Sequence, residues 1–192
     1  MELILASNNK GKIAEISALL PGLGLRSMRE AGYTKPIEEP FHTFRENALI
    51  KARTVYDFCS IPVLADDSGI CVDALGGSPG VFSARYAGPD ATDMANNDKL
   101  LQELQHVADR NAYYIAVLCL IVNGKAHYFE GRCDGRIAYE PKGSGGFGYD
   151  PLFIPDGYDR TFGEIDPDIK SRISHRAKAL AALKASGLLT AD

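Results

Sequence analysis

Leu3-Ile4-Leu5-Ala6-Ser7-Asn8-Asn9-Lys10-Gly11-Lys12 opens the chain with an apolar run, a polar turn and a pair of lysines. Leu3 to Ala6 reads as a buried strand. Ser7-Asn8-Asn9 then leads into a helix that carries Ile13, Ile16, Leu19 and Leu20 on one face and stops before Pro21-Gly22. Thr43-Phe44-Arg45-Glu46 is a capping box that opens a second helix, with Phe44, Ala48, Ala52 and Val55 at helical spacing and Lys51 projecting elsewhere. Pro62 to Ala65 reads as a core strand ending in a turn at Asp66-Asp67-Ser68-Gly69, with Ile70 to Val72 returning. Thr92 to Val107 reads as a helix striped by Leu100, Leu101 and Leu104. Ala112 to Val122 is a long strand, which Asn123-Gly124 closes onto Ala126 to Glu130 through a type I′ turn. Lys142 to Tyr149 is a glycine-rich loop bounded by Pro141 and Pro151. Ile169 to Ser186 forms the last helix, with Ile173, Ala177, Leu180 and Ala181 inward and Gly187 as its C-terminal cap.

The 192 residues suit one domain, or one domain with two lobes, able to bury a core without staples. A net charge of -4 and a pI near 5.6 give no broad basic surface, so no nucleic-acid partner is expected. Cys59, Cys71, Cys119 and Cys133 show no C-x-x-C spacing and read as buried thiols. No signal-peptide pattern and no apolar stretch of spanning length occur, so a cytoplasmic protein without a membrane partner is expected.

Four constellations can carry chemistry. The turn Ser7-Asn8-Asn9-Lys10-Gly11-Lys12 can cradle phosphate with helix-start N–H groups and lysines, although an ordinary capped helix start would look the same. It lacks the Walker spacing. Asp66-Asp67, with Glu38-Glu39 upstream, offers hard oxygen ligands suited to Mg²⁺; adjacent acids repel, so a plain turn is the lesser reading. Gly143-Ser144-Gly145-Gly146-Phe147-Gly148 matches G-x-G-x-x-G in letters only, because Tyr149-Asp150-Pro151 continues extended where a dinucleotide fingerprint needs a helix. The loop can instead bring backbone to a base with Phe147 stacked on it, or hold a structural aromatic. Lys170 and Ser174-His175-Arg176 form the fourth. His175 and Arg176, about a hundred degrees apart on a helix, cannot both lie on its apolar stripe, and a solvated face is the blander reading.

Together these segments resemble the inosine triphosphate pyrophosphatase family over nearly the whole chain. The carriers are Ser7 to Lys12 with Glu15, Glu46-Asn47-Ala48 with Lys51-Ala52, Ala65 to Gly69, Gly76-Gly77 with Pro79-Gly80, Ser83 to Tyr86, Gly145 to Pro151, and Ser174-His175-Arg176. The resemblance implies a two-lobed α/β fold, a long central mixed sheet flanked by helices, a substrate cleft between the lobes and a homodimer. It implies Mg²⁺-dependent hydrolysis of ITP, dITP and XTP to the monophosphate and pyrophosphate, cleansing the nucleotide pool. By that resemblance Ser7, Asn8, Asn9, Lys10, Gly11 and Lys12 hold the triphosphate, Glu38 and Asp67 bind the metal, and Asp67 is also the general base. Lys51 contacts phosphate, and Ser68, Phe147, Gly148, Tyr149, Asp150, Lys170, His175 and Arg176 recognise the nucleoside. Which of Glu38 and Glu39 is the second metal ligand stays open. The chemistry agrees: water attacks the α-phosphorus in line while pyrophosphate leaves, with cations offsetting charge and a carboxylate orienting the water.

Three rivals remain at this level. A related pyrophosphatase of pyrimidine or modified nucleotides usually opens with Ser-Pro-Arg-Arg, where this chain has Asn9-Lys10-Gly11-Lys12. A non-catalytic nucleotide-binding module would need the cradle but not Asp66 and Asp67. In a structural protein the acids and the glycine loop are only turns.

Overall fold

The computed structural model describes residues 1–189. Their element order is β1 (Glu2–Leu5), α1 (Lys10–Leu19), β2 (Gly24–Ser27), α2 (Phe44–Cys59), β3 (Val63–Val72), α3 (Asp93–Glu103), β4 (Asn111–Val122), β5 (Lys125–Ile137), β6 (Phe153–Pro155), α4 (Pro167–Ile173) and α5 (His175–Ala185), with 3₁₀ turns at Asp73–Leu75 and Gly80–Arg85. One six-stranded sheet has the order β2-β1-β3-β4-β5-β6. It is mixed: β1 runs parallel to β2 and to β3, whereas β6 runs antiparallel to β5. The fold is therefore α/β, as the resemblance implies.

The chain divides into two compact units. Among the described residues the first comprises 1–67, 116–131 and 176–189, and the second 68–115 and 132–175. In the first unit, strand alternation sorts the core to the two sheet faces. Leu3, Leu5, Leu64, Leu118 and Leu120 pack with Ile16 and Leu20 of α1 and with Ala179, Leu180 and Leu183 of α5. Ile4, Ala6, Val63, Ala65, Cys119 and Ile121 pack on the other face with Ala48, Ala52 and Val55 of α2. The second unit has its own core, in which Leu100 of α3 and Leu104 at its C-terminal cap join Tyr114, Phe153 and Phe162.

Two sequence readings change here. The turn expected at Asp66-Asp67-Ser68-Gly69 does not form, because β3 runs unbroken from Val63 to Val72. Lying between β1 and β4, β3 is an interior strand and is buried along almost its whole length. The last helix is also not continuous: Ser174 adopts an extended conformation (φ -66°, ψ 157°) between α4 and α5. The apolar periodicity carries through this break, and only the choice of serine, a residue that favours helix starts, hinted at it. The hairpin expected at Asn123-Gly124 forms, with both residues at positive φ (51° and 74°) as a type I′ turn requires.

Candidate functional site

In the first unit, the end of β1 decides where charge collects. β1 pairs with β3 only at Val63 and Leu64, so the Asp66 carbonyl lies past the reach of that ladder. Lysines take it instead: Lys51 Nζ donates to Asp66 O at 2.9 Å and Lys12 Nζ at 3.4 Å. Because neighbouring strand residues point to opposite faces, Asp66 shares the face of Leu64 with α1 and α5, and Asp67 the face of Ala65 with α2. On the first face the Asp66 carboxylate is held by Lys12 Nζ (2.6 Å) and by Arg176 Nε (2.9 Å), and Arg176 also pairs with Glu15. On the second, Lys51 Nζ bridges Asp67 Oδ1 (3.0 Å) and Glu39 Oε2 (2.7 Å).

Local sequence places these groups. Asn9 caps α1, its side chain accepting from Lys12 N at 3.0 Å while Ser7 Oγ accepts from Asn9 N at 3.1 Å. No acidic residue occupies the first turn of α1, so its positive end is left for an anion. Thr43 caps α2 by accepting from Glu46 N at 3.2 Å. Buried Asn47, one turn on, clamps the Phe41 peptide from both sides at 3.1 Å and so fixes the segment that carries Glu39.

The two neighbouring aspartates end in opposite states. Burial alone would raise Asp66, but Arg176 and Lys12 outweigh it and hold its carboxyl well below the usual range. Burial raises Asp67 to about 6, Lys51 and Lys12 offset only part of this, and the Glu39 carboxylate pushes the same way. Burial would lower Lys51, yet Asp67 and Glu39 keep it raised; Lys12 is lowered, chiefly by burial, with Asp66 opposing. Asp67 Oδ2 is buried without a hydrogen-bond donor. The one bond it can make with Glu39 is a shared proton, which is lost once both carboxyls ionise. An orphaned carboxylate oxygen beside a second acid fits a hard divalent cation, and Mg²⁺ needs only one or two protein carboxylates when phosphates and water complete its shell. Among the described residues no trio of His, Cys, Asp or Glu gathers into a fuller metal cage.

In the second unit a separate constellation surrounds Asp150. Lys170 Nζ bonds Asp150 Oδ2 at 2.6 Å, and the same oxygen accepts from Phe147 N at 2.9 Å. The Lys170 ammonium lies 5.3 Å from the Phe147 ring centre and 5.5 Å from that of Phe162. His175 stacks flat on Tyr114 at 4.5 Å. Tyr149 turns into the core, where its hydroxyl donates to Ser83 O at 2.7 Å and burial is the first cause raising its pKa.

The profile of the Ham1 family matches residues 3–186. The chain belongs to the Ham1 family. Among curated relatives, the dITP/XTP pyrophosphatase of Bacillus licheniformis is 47% identical over 189 residues, covering 96% of each chain. That of Nitrosomonas europaea is 49% identical over 187 residues, covering 95% of this chain and 92% of the other. Two solved Ham1 proteins superpose with a TM-score of 0.88. That of Staphylococcus aureus is 37% identical and covers 97% of both chains. That of Coxiella burnetii is 42% identical and covers 97% of this chain and 98% of the other.

Within this Ham1 chain the expected residues fall into groups. Lys12, Lys51, Asp67 and Arg176 come together in the first unit; Phe147, Asp150, Lys170 and His175 do so around Tyr114 in the second. Ser7 and Asn9 serve the cap of α1, Asn8 and Lys10 are exposed beside it, and Gly11 is half-buried in its first turn. Ser68 follows Asp67 on β3 and is half-buried. Glu38, expected on the metal, is exposed beside a shallow groove with Tyr33, Ile37 and Phe41, and Glu39 is the acid that reaches Lys51. Arg176, expected to meet the base, has its guanidinium buried against Asp66 and Glu15, so a base contact would require exchanging those bonds. Sequence reasoning paired Asp66 with Asp67 as a hard oxygen ligand and did not foresee it as the partner of Lys12 and Arg176, and it gave no role to Glu15 or Tyr114. Period-two alternation could have separated Asp66 from Asp67 had the segment been read as strand; nothing marked Tyr114.

Proposed function

We propose that this Ham1 protein is a Mg²⁺-dependent pyrophosphohydrolase of inosine and xanthosine triphosphates and their deoxy forms, releasing the nucleoside monophosphate and pyrophosphate. The activity is the one in the names of its curated relatives. The observation that carries the reading is the contrast between the two aspartates. Asp66 is held ionised and fully engaged by Lys12 and Arg176, whereas Asp67 has a buried oxygen without a donor and a pKa of about 6, near working pH. Asp67 thus serves as the base that orients and deprotonates the attacking water, and Asp66 serves as the anchor of the neighbouring cations.

Glu39 and Asp67 would hold Mg²⁺, which supplies charge neutralisation at the phosphate oxygens when bound. Lys51 and Lys12 offset the negative charge that builds on those oxygens, and the start of α1 supports the triphosphate with its N–H groups. Base recognition is assigned to Phe147, Gly148 and Lys170, with His175 held in register by Tyr114. A cationic lysine can only donate, which suits the 6-keto oxygen of hypoxanthine and xanthine and disfavours the 6-amino group of adenine. Rejection of guanine requires a second feature, at its 2-amino group. The protein acts in the cytoplasm as a homodimer. A triphosphate panel with Mg²⁺, resolved by chromatography, tests this: ITP and XTP should exceed ATP and GTP in kcat/KM, with pyrophosphate as coproduct. Release of orthophosphate and a diphosphate, or equal turnover of ATP and ITP, would overturn it.

A further inference from the structure

The glycine loop 143–148 would be slack on sequence grounds, since glycine has the largest backbone freedom to lose. Two parts of it are held from nearby: Gly145 N donates to Gly163 O at 2.9 Å, and Phe147 N to Asp150 Oδ2 at 2.9 Å. The Gly148 peptide, at positive φ (62°), is held from α3. Asp93 Oδ2 accepts from Gly148 N at 2.7 Å, and Asn97 Nδ2 donates to Gly148 O at 3.1 Å. Asp93 and Asn97 are four residues apart and so lie on one face of α3, one turn above the other.

We propose that Asp93 and Asn97 are positioning residues for base selection, gripping the Gly148 peptide by its N–H and its C=O and so fixing the Phe147–Gly148 segment that the base meets. The proposal rests on the assignment of that segment to base recognition. Three further observations support it. The helix that bears the grip is itself fixed, with Leu100 and Leu104 fully buried in the core. Asn97 is only 6% exposed and its Oδ1 is buried without a hydrogen-bond partner. An apolar side chain would fill that place without an unsatisfied oxygen, so what distinguishes the amide is its bond to Gly148. The adjacent Asn96 instead grips the end of the second 3₁₀ turn, donating to Ala84 O at 3.2 Å and accepting from Ala87 N just beyond it at 2.8 Å. The two asparagines therefore hold different stretches, and Asn97 is the one directed to the loop.

The test compares Asp93→Ala, Asn97→Leu and Asp93→Asn with the wild type. Selectivity is read as kcat/KM for ITP over GTP, and loop order as hydrogen exchange of a peptide covering residues 143–151. Asp93→Ala and Asn97→Leu should each lower the ITP to GTP ratio roughly tenfold, through KM for ITP rather than kcat, and should speed exchange of the loop. Asp93→Asn, which keeps an acceptor oxygen, should fall close to the wild type in both. Unchanged exchange in both variants overturns the grip. Faster exchange with an unmoved ratio, or with equal losses on both substrates, overturns its link to selection. A wild type with no preference between ITP and GTP sinks the base-recognition reading itself, while exchange still decides whether α3 holds the loop.

Discussion

Burial pushes the Asp67 carboxyl from 3.8 up to about 6, so between those values the folded chain binds a proton that the unfolded chain has released. Stability then falls as pH rises through that window, and above it the protein carries the cost of a buried charge. Asp66 has the opposite sign: its depressed pKa adds stability above the usual aspartate range that is lost in acid. Two expectations follow from the difference. Asp67→Asn should melt above the wild type at pH 7.5 without metal, yet lose about a hundredfold or more of kcat, the scale of a general base. Mg²⁺ should raise the melting temperature of the wild type and leave that of the variant nearly unmoved. Scanning fluorimetry with EDTA and then Mg²⁺ checks the two melting shifts and a steady-state assay the loss of kcat; a variant less stable than the wild type in EDTA would refute the burial argument. Asp66→Asn should instead destabilise by about 3 to 5 kcal/mol in urea unfolding, because it strips the partner from buried Arg176 and Lys12. With Mg²⁺ saturating, log kcat/KM should fall with unit slope below the pKa of Asp67, which a bound cation draws below its metal-free value of about 6; a flat profile down to the usual aspartate range would count against Asp67 as the base.

Within the glycine loop, Gly143 and Gly146 have no room for added atoms. A Cβ on Gly146, which sits at φ 72°, would lie 1.9 Å from Asp150 Oδ2, the oxygen that receives both Lys170 and Phe147 N. Gly146→Ala should therefore displace Asp150 and reduce the ITP to ATP preference at least severalfold, while the turnover that survives keeps its pH profile. Preserved selectivity would show that Asp150 does not shape the base-recognising segment. How far the elements could be read in advance depended on what signals them. Caps were legible because Asn9 and Thr43 act through their own next residues, and the hairpin because Asn123-Gly124 states its turn locally. The uninterrupted course of β3 was not, since acidic residues look like a turn until Lys12, Lys51 and Arg176 arrive from distant positions. The helix break at Ser174 was missed for a similar reason: α4 and α5 continue one apolar rhythm across it. Glu39 could not be told from Glu38 because the choice is made by the Asn47 clamp on Phe41, which no spacing reveals.

At the scale of the whole molecule, the homodimer expected from the family can be checked by sedimentation at micromolar concentration, where a single species of twice the chain mass is the expected result. Only monomer would remove that expectation and leave the chemistry intact. The two compact units raise a different matter. The chain passes from one to the other at Asp67–Ser68, Ile115–Ala116, Gly131–Arg132 and His175–Arg176. Three of these crossings lie inside β3, β4 and β5, and the fourth at the start of α5. No uninterrupted stretch of the gene encodes either unit. A truncated reading frame would deliver half-strands rather than a module, recombination could not graft one unit onto another protein, and a split reporter cut at a crossing would have to restore a severed strand or helix end before it could restore activity.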